Sequence, residues 1–338
     1  MKCWKIIVLL AMLGCGESRE VRIQKLLLKG NLALQDRNQK QAEYYYTEAI
    51  QLDNCYADAW NNLGTVQFQQ QHLEKALQSY TRALECRTGF INALLNRANT
   101  FYALKEYYRA IGDLDRVIGL KPDTALAYST KGLVLTKLRD FSGALRAFEK
   151  ATSLEPATID HQVNHATVLY YLKEYERASL ELNKLLDNRQ QEGVIYNTLS
   201  LIATESEKYD EALRYVNLAL ASEPNQPFYL NNRGYIYIRS NELKKAESDV
   251  NQSISLDPYN GWAYRNKGIL YYLNNDFISS ERVLRQAVDM DPFIDKVYFY
   301  LGMALLKNNK RNEACEAFRT SELRGDKMMT ANLIKNCQ

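Results

Sequence analysis

The sequence predicts an all-α solenoid, a single array of antiparallel helix pairs stacked from end to end. Three observations predict it. Pro122, Pro156, Pro224, Pro258 and Pro292 follow one another at spacings of 34, 68, 34 and 34, so five of the six prolines share one register of period 34. Counted from Ile23, the eighth residue of every unit is small: Gly30, Gly64, Ala98, Gly132, Ala166, Ser200, Gly234, Gly268 and Gly302. So is the twentieth: Ala42, Ala76, Ala110, Ala144, Ala178, Ala212, Ala246, Ser280 and Ala314. Around them apolar residues recur at helical spacing, as in Phe141, Ala144, Leu145, Phe148 and Ala151. Small residues twelve apart, on helices of opposite direction, let the two helices approach closely. The large residue at position 24, such as Tyr46, Tyr80, Leu114 or Phe148, fills the space between them. The proline then ends the second helix, because it lacks an N–H and disfavours helix at the residue before it. A chain of 338 residues would otherwise suggest two or three compact domains; a fixed period of this length merges them into one quasi-linear array.

Taken in order, the first element is residues 1–14. Lys2 and Lys5 precede an apolar run from Ile6 to Leu13, followed by Gly14-Cys15-Gly16 and polar residues, the layout of an export signal with a core too short to span a bilayer. Met12-Leu13-Gly14-Cys15 resembles a bacterial lipobox, which implies cleavage before Cys15 and lipid attachment to it. Cleavage after Gly16 is the alternative reading of the small pair Gly14 and Gly16. Residues 15–22 form a polar tether, residues 23–328 nine units of 34, and residues 329–338 a last helix. Asp326 would cap that helix, and Leu333 and Ile334 would cover the ninth unit. Pro227, the sixth proline, falls on the first position of a unit, where a helix tolerates it. Units one, two, five and nine lack the closing proline; unit five ends Asn188-Arg189-Gln190-Gln191.

The units resemble the tetratricopeptide repeat family, whose pattern is W-x2-L-G-x2-Y, then A-x3-F, then P, over a period of 34. Trp60-Leu63-Gly64 with Ala76 and Tyr80, and Tyr128-Gly132-Leu135 with Ala144, Phe148 and Pro156, carry the resemblance best. It implies a right-handed superhelical α-solenoid whose first helices line a concave groove, chiefly through positions 2, 5, 6, 9, 12 and 13.

Composition narrows function. Net charge is +3, from 43 basic and 40 acidic residues, so no bulk field draws nucleic acid. No stretch reaches the roughly 18 to 20 apolar residues of a spanning helix. Cys55, Cys86, Cys315 and Cys337 remain if residues 1–14 leave and Cys15 carries lipid, and neither their pairing nor their reduction follows from sequence. There is no phosphate loop, dinucleotide fingerprint or nucleophile elbow. His161 and His165 have the i, i+4 spacing of zinc ligands, but Gln162 stands where a metalloprotease needs Glu, and His72 is the only other histidine. The chain is expected to be non-enzymatic, without cofactor, metal, nucleic acid or small-molecule substrate.

What remains is a binding surface. Carried over from the family, position 6 gives Asn62, Asn96, Asn164, Asn232 and Asn266. An amide both donates and accepts, so such a ladder could hold an extended peptide backbone; it could equally be helix-surface filling. Position 12 gives Tyr102, Tyr170 and Tyr272, which suit an interface or simple packing. The last units add Phe228, Tyr235, Trp262, Arg265, Phe299 and Tyr300, with Arg239 and Lys296 beside them, the residue types of binding hot spots. The family's carboxylate clamp is not reproduced: Leu126 and Thr130 stand where cations would be. The expectation is an exported scaffold binding a protein or peptide in its groove, lipid-anchored in a bacterial envelope, or else a soluble periplasmic peptide-binding chaperone or regulator.

Overall fold

The computed structural model describes residues 17–186, 192–326 and 328. The proposed signal with Cys15, and the last helix at 329–338, lie outside the described residues. Among the described residues there are eighteen α-helices and no strand. None of these helices is long and apolar enough to cross a membrane. The fold is an α-solenoid, and the residues fall into two compact units divided between His161 and Gln162, inside α9 (Ile159–Tyr171).

The first unit stacks α1 (Arg19–Gln35), α2 (Gln39–Leu52), α3 (Ala57–Gln69), α4 (Leu73–Cys86), α5 (Ile91–Ala103), α6 (Tyr107–Leu120), α7 (Ala125–Lys137) and α8 (Phe141–Leu154). The second stacks α10 (Tyr175–Leu185), α11 (Glu192–Glu205), α12 (Tyr209–Ser222), α13 (Pro227–Arg239), α14 (Leu243–Leu256), α15 (Gly261–Leu273), α16 (Phe277–Met290), α17 (Val297–Lys307) and α18 (Arg311–Leu323). Each odd-numbered helix is the first of a repeat.

One local device recurs in every repeat. The residue at position 15, from Arg37 through Lys105 and Glu207 to Asn309, has positive φ although none is glycine. It closes a Schellman motif: Asn38 N–H donates to the Ala33 carbonyl and Arg37 N–H to that of Leu34. The next repeat repeats the pair, His72 N–H donating to the Gln67 carbonyl and Gln71 N–H to that of Phe68. The left-handed residue costs of order 1–2 kcal/mol, offset because the turn satisfies the orphan carbonyls and aims the second helix back along the first. At the other end, Pro122, Pro156, Pro224, Pro258 and Pro292 each stand two residues past the last residue of a second helix. Pro227 opens α13.

Between the paired helices, the small eighth residue faces the large twenty-fourth. Tyr46, Tyr80, Phe148 and Phe318 are at most 2% exposed, each over a glycine: Gly30, Gly64, Gly132 and Gly302. Where the eighth residue is alanine or serine (Ala98, Ala166, Ser200), the twenty-fourth shrinks to Leu114, Leu182 or Val216. Side-chain volume is thus traded across these pairs, though not in repeats seven and eight, where Gly234 faces Val250 and Gly268 faces Leu284.

Repeats three and seven add a part-buried ion pair across their helices. Arg97 binds Asp113 through two bonds of 2.7 and 2.8 Å, and Arg233 binds Asp249 through bonds of 2.6 and 2.8 Å. The first repeats lack closing prolines, and there a disulfide joins Cys55, in the loop before α3, to Cys86 at the end of α4. Cys315 on α18 is disulfide-bonded as well.

Candidate functional site

The first helices of the repeats carry the positions expected to line a groove. Their asparagines form two hydrogen-bonded ladders of one design. In the first unit, Asn96 Nδ2 donates to Asn61 Oδ1 at 3.0 Å, Asn61 to Asn62 at 3.2 Å, and Asn62 to Asn31 at 3.4 Å. In the second, Asn266 donates to Asn231 at 2.7 Å, Asn231 to Asn232 at 3.3 Å, and Asn232 to Asn197 at 2.8 Å. The second ladder runs throughout from position 6 of one repeat to position 5 of the repeat before it, whereas the first does so at Asn96–Asn61 and ends on Asn31, at position 9, so these amides link stacked helices. Asn266 is wholly buried, while Asn62 and Asn164 are half-buried.

The aromatic and basic residues expected in the last units come together in the second unit, around Tyr235. Arg239 Nη1 and Lys296 Nζ each lie 3.5 Å from its hydroxyl oxygen. The Arg265 guanidinium sits 4.5 Å from the Tyr235 ring and 5.1 Å from that of Trp262, and it donates to the Asp295 carbonyl at 3.3 Å. Lys296 is 3.3 Å from Asp295 and 3.7 Å from Glu205, so the start of α17 reaches the end of α11. Arg239 pairs with Glu207 at 3.0 Å.

Burial divides the set. Tyr235 is 6% exposed, Arg265 3% and Phe299 8%, whereas Phe228 is 50% exposed and Trp262, Tyr272 and Tyr300 are half-buried. Phe299 packs against Tyr300 and Phe318. Tyr272 rests on Phe277, Tyr170 on Tyr171 and Tyr175, and Tyr102, in the first unit, on Tyr107. The floor of the site is therefore fixed by its own contacts, leaving Phe228 exposed and Trp262, Tyr272 and Tyr300 partly accessible.

Electrostatics follow from this packing. Burial opposes the charge of Lys296, yet Tyr235, Asp295 and Glu205 hold its pKa above the ordinary lysine value. Burial pushes the Tyr170 hydroxyl well up, and the charge of Glu205 adds to it. The backbone at Lys296 is irregular: with φ 60° it is left-handed, outside the position-15 register, and α17 starts one residue later at Val297. Left-handed geometry at a long side chain costs of order 1–3 kcal/mol and persists only where surroundings impose it; here the ammonium lies against Tyr235, Asp295 and Glu205.

Sequence reasoning missed Glu205 and Asp295. Glu205 was detectable, because it occupies position 13 of its repeat, one of the groove positions, as Arg239 does. Asp295 carried no such signal. Of the two histidines, His165 Nδ1 lies 2.7 Å from Glu181 Oε2, and buried His161 has Glu155 at 3.6 Å. Among the described residues no three side chains are grouped to hold a metal ion.

Models of the tetratricopeptide repeat match residues 57–87, 125–158 and 229–260. The chain thus contains tetratricopeptide repeats, a fold that suggests a scaffold for protein–protein interaction, and no enzymatic family is indicated. It is 31% identical over 167 residues to the BBSome complex member BBS4 homolog of Drosophila melanogaster, a stretch covering 49% of this chain and 34% of that protein. It is 28% identical over 158 residues to the heat shock protein sti1 homolog of Schizosaccharomyces pombe, covering 47% of this chain and 20% of that one. The chain spans about a third or less of these relatives. Among solved structures, Pseudomonas aeruginosa pilF is similar in fold, with TM-score 0.55 and 23% identity over 62% of this chain and 96% of that one.

Proposed function

We propose that this protein is an exported scaffold, lipid-anchored through Cys15 in a bacterial envelope, that holds a protein or peptide partner on the first helices of repeats seven to nine. The observation that carries the binding reading is the cluster of Arg239, Arg265 and Lys296 on Tyr235, with Trp262 beside it and Phe228 and Tyr272 accessible. Aromatic surface backed by rigid, stacked guanidinium groups gives contact area at little entropic cost. Disulfides at Cys55–Cys86 and Cys315 support an oxidising compartment, as export would provide.

Two experiments test this. Phe228→Ala and Trp262→Ala should each weaken partner capture in crosslinked pull-downs from envelope fractions, with circular dichroism unchanged. Capture at wild-type level would refute the site. Cys15→Ala should abolish a lipid mass on the mature N-terminus; a wild-type chain that begins at Glu17 and carries no lipid would make it a soluble periplasmic protein.

A further inference from the structure

In a stacked array, a first helix that has a repeat before it buries its position-10 residue. From Val66 to Ala304 all eight such residues are buried. In α1 the equivalent residue is Leu32, 49% exposed, and the same face carries Leu28 at 58% and Val21 at 42%. Terminal repeats normally make this face polar, because nothing covers it. α1 does the reverse: position 6, polar or tyrosine in every other repeat, is Leu28 here.

Helical spacing sets Val21, Leu28 and Leu32 in one stripe. Lys25, Lys29 and Arg22 follow along one flank, and the amides Gln24, Gln35 and Asn31 along the other. The acid within this helix, Glu20, lies beyond the amide flank, and the exposed C-cap Asp36 stands at the far end of the basic flank. Lys25 reaches Glu17 while its side chain stays 62% exposed, and Lys29 lies 5.7 Å from the Tyr45 ring. Ser18 caps the helix, so α1 starts four residues after Cys15.

We propose that the outer face of α1 is a docking surface for an anionic lipid membrane. The apolar stripe would enter the boundary between headgroups and acyl chains, with the basic flank against the headgroups. Charge chooses this occupant. A second copy of α1 would bring another basic flank to the face, whereas an anionic lipid surface complements it. The orientation rests on the reading of Cys15 as an anchor, but the chemistry of the face does not.

The test uses the unlipidated full-length chain with vesicles of phosphatidylcholine containing roughly 30% phosphatidylglycerol. Amide hydrogen exchange in α1 should slow on these vesicles and not on phosphatidylcholine alone. Leu28→Gln/Leu32→Gln, and separately Lys25→Glu/Lys29→Glu, should each lower the protection of α1 about tenfold or more. Both pairs are on the surface, and circular dichroism will verify that they fold. Equal exchange of α1 with and without anionic vesicles would overturn the proposal. So would protection that rises with protein concentration in the absence of lipid, which would mean that another copy covers the face. If Cys15 proves unlipidated while α1 is still protected, the anchor reading fails and this one stands.

Discussion

The trade of volume between positions 8 and 24 can be tested by moving one repeat's solution into another. In repeat four a Cβ placed on Gly132 would lie 2.7 Å from Phe148 Cζ and 2.8 Å from both Cε atoms. Ordinary carbon contacts are about 3.5–4.0 Å, so the methyl overlaps three ring atoms. Phe148 is 1% exposed and cannot swing aside. Overpacking of this kind costs ~1–3 kcal/mol, and three overlaps place it in the upper half. Helix propensity returns ~1 kcal/mol for Gly→Ala, so Gly132→Ala should destabilise by a net ~1–2 kcal/mol. Phe148→Leu alone leaves a cavity and should cost ~1–2 kcal/mol. Together they reproduce Ala98 and Leu114 of repeat three, both 0% exposed. The double variant should therefore lie within ~1 kcal/mol of wild type, a favourable coupling of about 2 kcal/mol. Gly112→Ala at an exposed position of α6, where a Cβ would meet nothing within 4 Å, is the control and should stabilise by ~0.5–1 kcal/mol. Urea unfolding followed by far-ultraviolet circular dichroism measures all four. If Gly132→Ala matches Gly112→Ala, or the pair is additive, the close approach at position 8 is not what selects glycine there.

Three further expectations concern the devices that hold the repeats together. Cys55→Ser/Cys86→Ser removes a link across 31 residues and should lower stability to urea by about 2–4 kcal/mol on chain-entropy grounds; no change would mean that the bond does not form. Asp249→Ala leaves the Arg233 guanidinium, 24% exposed, without its bidentate partner, and should cost ~2–3 kcal/mol. Arg233→Leu added to it mimics Leu301 and Ala317 of repeat nine and should recover most of that loss in the same urea assay. Burial pushes the hydroxyls of Tyr46 and Tyr80 up to about 12, above the ordinary 10.0. A group raised on folding contributes its full stability below the unfolded value, so stability should hold to pH 10 and fall between 10 and 12. Tyr46→Phe and Tyr80→Phe should flatten that fall in thermal unfolding against pH.

What the sequence carried, and what it did not, follows from the kind of interaction each position makes. The period was legible because close packing is a local demand, renewed in every repeat by a small residue and a larger apolar one, and punctuated in five of the nine by a proline. The ion pairs had the same legibility in principle: Arg97 with Asp113 and Arg233 with Asp249 are complementary at positions 7 and 23 of single repeats. The asparagines were ambiguous for a physical reason. An amide that can hold a peptide backbone can equally hold the amide of the next helix, and only the 2.7–3.4 Å contacts between repeats distinguish the two uses. The inward turn at Lys296 was invisible, since no glycine marks its left-handed backbone and its acidic partner Glu205 comes from a helix three repeats earlier. Contacts of that range depend on how repeats stack, which position within a repeat does not encode. At α1, sequence and structure are informative only together: Leu28 and Leu32 depart from the polarity and burial their positions have in the other repeats, and their exposure of 58% and 49% turns that departure into a surface.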